Sequence, residues 1–316
     1  MRRKSQSGQG RLAPPLTGIQ RKRGQAALPD QELFSMVSIS VSLCLCGIFR
    51  DHLTNPTASV KPHQQMDESQ FELDALAVFS HPDDAELSVS GTLLRLKSMG
   101  YRTAVLDLTR GEMGTRGTPE LRAEEAAEAA RLMKLDLRLN LGLPDGHVWL
   151  TEESRAAVVR VIRSHRPKIL LTTHWDDPHP DHANTCRIVR DAARLATMAR
   201  YDMKDNEATQ PPVKMPAIMH SLFSRHVVPS FIVDVSDFVE EKMASIRAHV
   251  SQFYQAESQE PATRISDPAF LTQIEDRMRY FGSLIGVAAG EPFYVREALN
   301  VDDPVALLTR PMNIYS

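Results

Sequence analysis

The sequence is short of cysteine. Its 316 residues include three, Cys44, Cys46 and Cys186, too few for a disulfide framework, and only Cys186 lies in the part of the chain that reads as folded. That usage fits a reducing compartment, and a cytoplasmic location is the expectation. Long apolar runs are also missing. Residues 36–49 (MVSISVSLCLCGIF) fall short of the ~20 residues that a bilayer span needs. They follow a basic segment, as in a signal peptide, but no Ala-x-Ala cleavage site comes after them. No stable membrane insertion is therefore expected. The body of the chain has no excess positive charge: residues 1–65 carry nine Lys/Arg against three Asp/Glu, leaving 28 against 37 for the remainder. Such an acidic body gives nucleic acid no electrostatic footprint. No internal repeat is evident, and no Gly-Lys-Ser/Thr follows the glycines to make a Walker A phosphate loop. What is left, 42% hydrophobic and 24% charged, is an ordinary globular composition with length for one large core or two modest ones.

Residues 1–30 are rich in Arg, Gln, Gly and Pro without an apolar period, which reads as disorder. The stretch 1–65 is taken as a disordered extension or, with translation starting at Met36 or Met66, as a spurious one. Residues 66–316 are taken as the folded domain. There strand and helix signals alternate. The apolar run at 75–79 and the stretches at 103–108 and 168–173 read as strands, 137–141 as a weaker one, and 217–223 and 231–235 as two more. Helices are expected from 87 to 99, from Pro119 behind Thr118 as N-cap with Ala123, Ala126, Ala127, Ala130 and Met133 inward, and after Thr151. Further helices are expected up to about 199, from Ser236 to about 256, and over 268–284, with 202–216 a surface loop or flap. Strands separated by helices imply βαβ units with right-handed crossovers, hence an α/β domain of three layers, α/β/α, around a mostly parallel sheet.

Two polar clusters sit where such strands end. Ser80-His81-Pro82-Asp83-Asp84-Ala85-Glu86 follows the first strand and His174-Trp175-Asp176-Asp177-Pro178-His179-Pro180-Asp181-His182 the fourth. One imidazole and three carboxylates within six residues repel unless a cation or donors compensate them. If the two loops lie together at the carboxyl edge of the sheet, His81, Asp83 and Asp84 face His179, Asp181 and His182. Two imidazoles and one carboxylate with a position left open make a catalytic zinc site, and the remaining carboxylate and imidazole are free for proton transfer. Other histidines, such as His147, His165, His220 and His249, read as hydrogen-bonded packing residues. The loop Thr109-Arg110-Gly111-Glu112-Met113-Gly114-Thr115-Arg116-Gly117 is a turn whose two arginines offer a grip on an anionic group.

With these motifs in place the chain resembles the LmbE/PIG-L family of zinc-dependent N-acetylglucosaminyl deacetylases, and within it the bacillithiol-biosynthesis branch. The resemblance spans about residues 72–300 and rests on His81-Pro82-Asp83-Asp84-Ala85-Glu86, the loop at 109–117, His179-Pro180-Asp181-His182, and Arg279-Tyr280-Phe281-Gly282 through Gly290-Glu291-Pro292-Phe293. It implies a Rossmann-like domain in which His81, Asp84 and His182 bind Zn2+. Asp83 is then the general base, and His179, positioned by Asp181, stabilises the oxyanion or protonates the leaving amine. Arg116 and Asp145 contact the rest of the substrate. The implied substrate is a small N-acetylated amino-sugar conjugate, N-acetylglucosaminyl malate first or another N-acetyl amino sugar, and the implied assembly a homo-oligomer up to a hexamer. Pro178 departs from the branch, where an arginine usually precedes the His-Pro-Asp-His motif. A non-haem iron oxygenase also satisfies a two-histidine, one-carboxylate count, and a non-catalytic sugar-binding protein would keep the same shape. The strand-helix alternation weighs against the first, and the joint presence of a candidate base and acid against the second.

Overall fold

The first strand has no polar residue to give to water, and the fold gives it none. The computed structural model describes residues 71–201, 204–205, 208–223 and 227–309; the expectations for residues 1–65 lie outside the described residues. In chain order the elements are β1 (Ala75–Phe79), α1 (Asp84–Ser98), β2 (Thr103–Thr109), α2 (Pro119–Leu132), β3 (Leu137–Leu143), α3 (Glu152–His165), β4 (Ile169–Thr173) and α4 (Pro180–Ala196). There follow the two-residue strands β5 (Lys204–Asp205) and β6 (Ala208–Thr209), then β7 (Ala217–Ser221), β8 (Phe231–Asp234), a 3-10 turn (Ser236–Phe238), α5 (Val239–Arg247), α6 (Phe270–Ser283), β9 (Gly290–Tyr294) and α7 (Pro304–Leu308). Every residue of β1 and β2 is buried, as expected of parallel strands covered on both faces.

Seven strands form one sheet in the order β3-β2-β1-β4-β7-β9-β8. All neighbours are parallel except β9, which runs antiparallel to both β7 and β8. Strand β1 pairs with β2 on one side and with β4 on the other. The order of connection therefore reverses between β1 and β4, and the loops that follow them open side by side, the crevice in which open α/β sheets bind ligands. Side chains of β1 alternate between two cores. Leu76 and Val78 pack with Val158, Ile162, Val189 and Ala192 of α3 and α4, whereas Ala77 and Phe79 pack with Val89 and Leu93 of α1. These are the three expected layers. A third cluster, with Leu87, Met243, Ile246, Phe270 and Met278, joins α1, α5 and α6. Among the described residues no helix is long and apolar enough to cross a membrane.

Two local expectations are corrected. The inner stripe of α2 is Arg122, Glu125, Ala126, Ala129 and Met133, with Ala123 and Ala127 exposed, because Arg122 and Glu125 are drawn in by polar partners. Ser236 does not cap a long helix: its hydroxyl donates to Asp234 Oδ1 at 2.7 Å, and α5 ends at Arg247. Beyond it Ser251 donates to the Glu125 carboxylate from both N and Oγ, at 2.5 and 2.8 Å, and these tertiary bonds outweigh further helical turns. The segment 290–294 is strand β9. Its buried Glu291 accepts from Gly91 N, Thr92 N and Thr92 Oγ1 of α1 at 2.9, 2.8 and 2.6 Å and from Lys242 Nζ of α5 at 2.7 Å.

Candidate active site and metal centre

Each cluster ends at the start of a helix. Asp83 is the N-cap of α1, at φ 129°, a left-handed conformation costly for a residue with a Cβ and typical of functional sites. Asp84 opens α1, where a carboxylate also meets the positive end of the helix dipole. His179 is the N-cap of α4, its Nδ1 accepting from Asp181 N at 3.2 Å. Pro180 then occupies the first helical position, where its missing N–H costs nothing, and His182 faces back across the crevice. One hydroxyl bridge joins the two loops, Ser80 Oγ lying 2.8 Å from Thr185 Oγ1, and another closes the second loop on itself, Thr173 Oγ1 donating to His182 O at 2.8 Å.

Three donor atoms converge here. Asp84 Oδ2 lies 3.2 Å from His81 Nδ1 and 3.2 Å from His182 Nε2, and the three residues could hold one metal ion. The nitrogen of each imidazole that faces away is fixed by a carboxylate. His81 Nε2 is 3.0 Å from Asp145 Oδ1 and 3.5 Å from Asp181 Oδ2, and His182 Nδ1 is 3.1 Å from Asp177 Oδ1. Such outer carboxylates select the tautomer that offers its lone pair to a cation and raise its basicity. A set of two nitrogens, each oriented from behind, and one carboxylate oxygen fits a metal with open coordination positions.

The electrostatics carry the same message. Burial presses both imidazoles towards neutrality, yet Asp145, Asp181 and Asp84 hold His81 well above the usual range, and Asp84 and Asp177 lift His182 to about 10. Burial likewise opposes ionisation of Asp84, but His182 and His81 hold its carboxyl well below its ordinary value. The site demands positive charge, which protons supply when no metal does. Burial raises Asp83 to about 6, against the lowering influence of Arg122. For His179 burial and the charges of His182 and His81 depress protonation. Its Nδ1 is an acceptor, so the neutral ring carries its proton on Nε2.

The structure brings His81, Asp83, Asp84, His179 and His182 together on the wall of one 690 Å³ cavity. The other three expected site residues are engaged by groups of the protein itself. Asp145 is on that wall, its carboxylate 3.0 Å from His81 Nε2 and accepting from Met113 N at 2.9 Å. Arg116 is 4% exposed and off the wall, with Nε 3.3 Å from Glu260 Oε2 and Nη2 donating to Ser258 Oγ at 2.8 Å. Asp181 positions His179 through its backbone N–H alone; its carboxylate accepts from Gly146 N at 2.8 Å and Val148 N at 3.2 Å. Two residues had no sequence-derived role. Asp177 stands behind His182. Arg122, from α2, donates to Pro82 O at 2.7 Å and Gly111 O at 3.1 Å, and its Nη2 is 3.4 Å from Asp83 Oδ2. Gly111 has φ 68°, and a Cβ there would collide with that guanidinium. The available signal was the 3-4 spacing of Arg122, Glu125, Ala126 and Ala129, which sets a charge on a buried stripe.

Known proteins resemble this chain. The family described as "PIG-L: GlcNAc-PI de-N-acetylase" matches residues 76–193, the stretch from β1 to α4 that holds both loops. The chain is 31% identical over 191 residues to the diacetylchitobiose deacetylase of Thermococcus kodakarensis, covering 56% of this chain and 69% of that enzyme. It is 27% identical over 191 residues to a probable N-acetyl-alpha-D-glucosaminyl L-malate deacetylase 2 of Bacillus anthracis, covering 56% of this chain and 80% of that one. The crystal structure of a conserved protein of Thermus thermophilus superimposes with a TM-score of 0.65 at 36% identity, over 72% of this chain and 97% of that one.

Proposed function

The chain belongs to the PIG-L (LmbE) family of metal-dependent deacetylases, and on that premise we propose that it is a zinc enzyme hydrolysing the acetamide of an N-acetylglucosaminyl conjugate. N-acetylglucosaminyl malate, the substrate of a bacillithiol pathway, is the first candidate. The observation that carries this reading is the convergence of His81 Nδ1, His182 Nε2 and Asp84 Oδ2 beside a carboxylate and an imidazole that are free to move protons.

In this reading His81, Asp84 and His182 hold the zinc. When bound, the ion supplies Lewis acidity, which polarises an acetamide carbonyl and brings the pKa of water down to ~7. The rest falls to the protein. Asp83 accepts the proton of the attacking water on a carboxylate oxygen, and Arg122 holds that carboxylate in place from behind. As the carbonyl oxygen gains charge, the Nε2–H of His179 donates to it, as an oxyanion donor does. The C–N bond then breaks, acetate leaves, and the sugar nitrogen takes up a proton delivered by His179 or returned by Asp83. The wall beyond this centre, with Leu87, Phe223 and Phe270, excludes water from one side of the reacting group.

The test is amine release from N-acetylglucosaminyl malate and from free N-acetylglucosamine, with and without a chelator. Zinc-dependent release from the conjugate is expected. In Asp83→Ala, release should fall ~10²–10⁴-fold, the worth of a general base, while zinc stays bound. Full activity in that variant would sink the mechanism.

A further inference from the structure

The cavity extends beyond the candidate ligands, and its charges are unequally matched. Four carboxylates line it, and each has a partner: Asp83 has Arg122, Asp84 has His81 and His182, Asp145 has His81, and Asp177 has His182 and His179 N. Two arginines line it as well. Arg122 is engaged by Pro82 O, Gly111 O and Asp83. Arg264 is exposed on the wall and, among the described residues, has no side-chain hydrogen bond or ion pair. Pro178, also on the wall, offers neither charge nor donor.

The backbone that carries Arg264 is held fast. Thr263 N donates to Ser266 Oγ at 2.8 Å, Ser266 N donates to Thr263 Oγ1 at 3.2 Å, and Ser266 Oγ donates to Thr263 O at 3.1 Å. Its neighbour Ile265 packs into the cluster of Leu87, Met243 and Phe270. A cation is thus mounted on a fixed segment, facing a cavity whose 690 Å³ lies within the ~300–1,000 Å³ range of sites that enclose ligands of drug size. A guanidinium presents a planar fork that matches a carboxylate in two parallel bonds, and a backbone already fixed lowers part of the ordering cost of binding.

We propose that Arg264 is a specificity-determining residue that reads a carboxylate on the aglycone of the acetamido sugar. The substrate class is accordingly an N-acetylglucosaminide with an acidic aglycone, in preference to a neutral chito-oligosaccharide. The proposal rests on the deacetylase reading above.

The experiment compares zinc-loaded wild type, Arg264→Gln and Arg264→Lys on N-acetylglucosaminyl malate, on its dimethyl ester, which has the same skeleton without charge, and on diacetylchitobiose. Wild type should favour the acid over the ester by tenfold or more in kcat/KM, chiefly through KM. Arg264→Gln should reduce that acid-to-ester ratio to about one, and Arg264→Lys should keep part of it. Because both substrates are measured on the same variant, general damage to the fold cancels in the ratio. Equal handling of acid and ester by wild type, or an unchanged ratio in Arg264→Gln, overturns the proposal while leaving the deacetylase reading intact. No acetate from any of the three substrates with wild type overturns that reading, and the proposal with it.

Discussion

Arg122→Gln removes a buried guanidinium that keeps two loops and the candidate base in register. The side chain donates to Pro82 O at 2.7 Å and to Gly111 O at 3.1 Å, and lies 3.4 Å from Asp83 Oδ2. Hydrogen bonds from a charged donor contribute ~1.5–3 kcal/mol each. Removing one partner of a buried ion pair costs ~3–5 kcal/mol, because the other charge is stranded. Glutamine can recover one of the two carbonyl bonds, so the net loss should be about 3 kcal/mol, or ~6–12 °C in Tm for a domain of this size. Activity should suffer more. Burial already raises Asp83 to about 6, and Arg122 is the first influence that opposes it. With the cation gone the carboxyl rises further, and more of it is protonated at pH 7. The acid limb of kcat/KM should therefore move to higher pH, and kcat at pH 7 should fall at least ~100-fold with little change in KM. Calorimetry, zinc analysis and a pH-rate profile on the same preparation measure all three effects. Arg122→Lys keeps the charge without the fork and should restore the limb but not kcat. Wild-type kcat/KM within threefold and an unmoved limb in Arg122→Gln would refute the reasoning.

Three further outcomes are expected. In the metal-free protein at pH 7 His182, at about 10, and His81, held well above its usual range, each carry a proton that metal must displace. Zinc binding should release close to two protons, and affinity should drop ~100-fold per unit fall in pH across the neutral range; calorimetry in buffers of different ionisation enthalpy measures this, and no proton release would contradict it. Asp145→Asn weakens the carboxylate that orients His81, and zinc affinity should fall ~10–100-fold; competition with a chelator of known affinity reads the change, and wild-type affinity would assign Asp145 elsewhere. Glu291→Gln leaves Lys242 buried beside a neutral amide and weakens the tie of α1 to β9, so stability should fall by ~3–5 kcal/mol; urea denaturation tests it, and a loss under about 1 kcal/mol would show that the pair contributes little.

The sheet was largely legible because β1, β2 and β4 lie between helices on both faces, so their burial is written as short stretches dominated by apolar residues. The two polar loops were legible for a related reason: charged and imidazole groups crowded at a strand end call for compensating partners, and β1 and β4 are neighbours in the sheet. What escaped was set by long-range polar contacts. The alanines of α2 fit one helical face as well as another, and Arg122 and Glu125 decided which turned inward through Pro82, Gly111 and Ser251. The end of α5 was set by Glu125, more than 100 residues earlier in the chain. Strand β9 carries Pro292 and a charged Glu291, neither of which reads as strand interior, and its place depends on α1 and α5 supplying partners for Glu291. The roles of Arg116 and Asp145 depend on where a side chain's second partner lies, Glu260 for one and His81 for the other, and pattern alone holds no record of that.

The most direct test is zinc titration of metal-free protein with acetate release from N-acetylglucosaminyl malate as the readout, run beside His182→Ala. Activity should rise in proportion to zinc up to one ion per chain, vanish with chelator and return on re-addition, while His182→Ala neither holds the ion nor releases acetate. Full turnover by metal-free protein, or zinc bound at one per chain without any acetate released, would contradict the account.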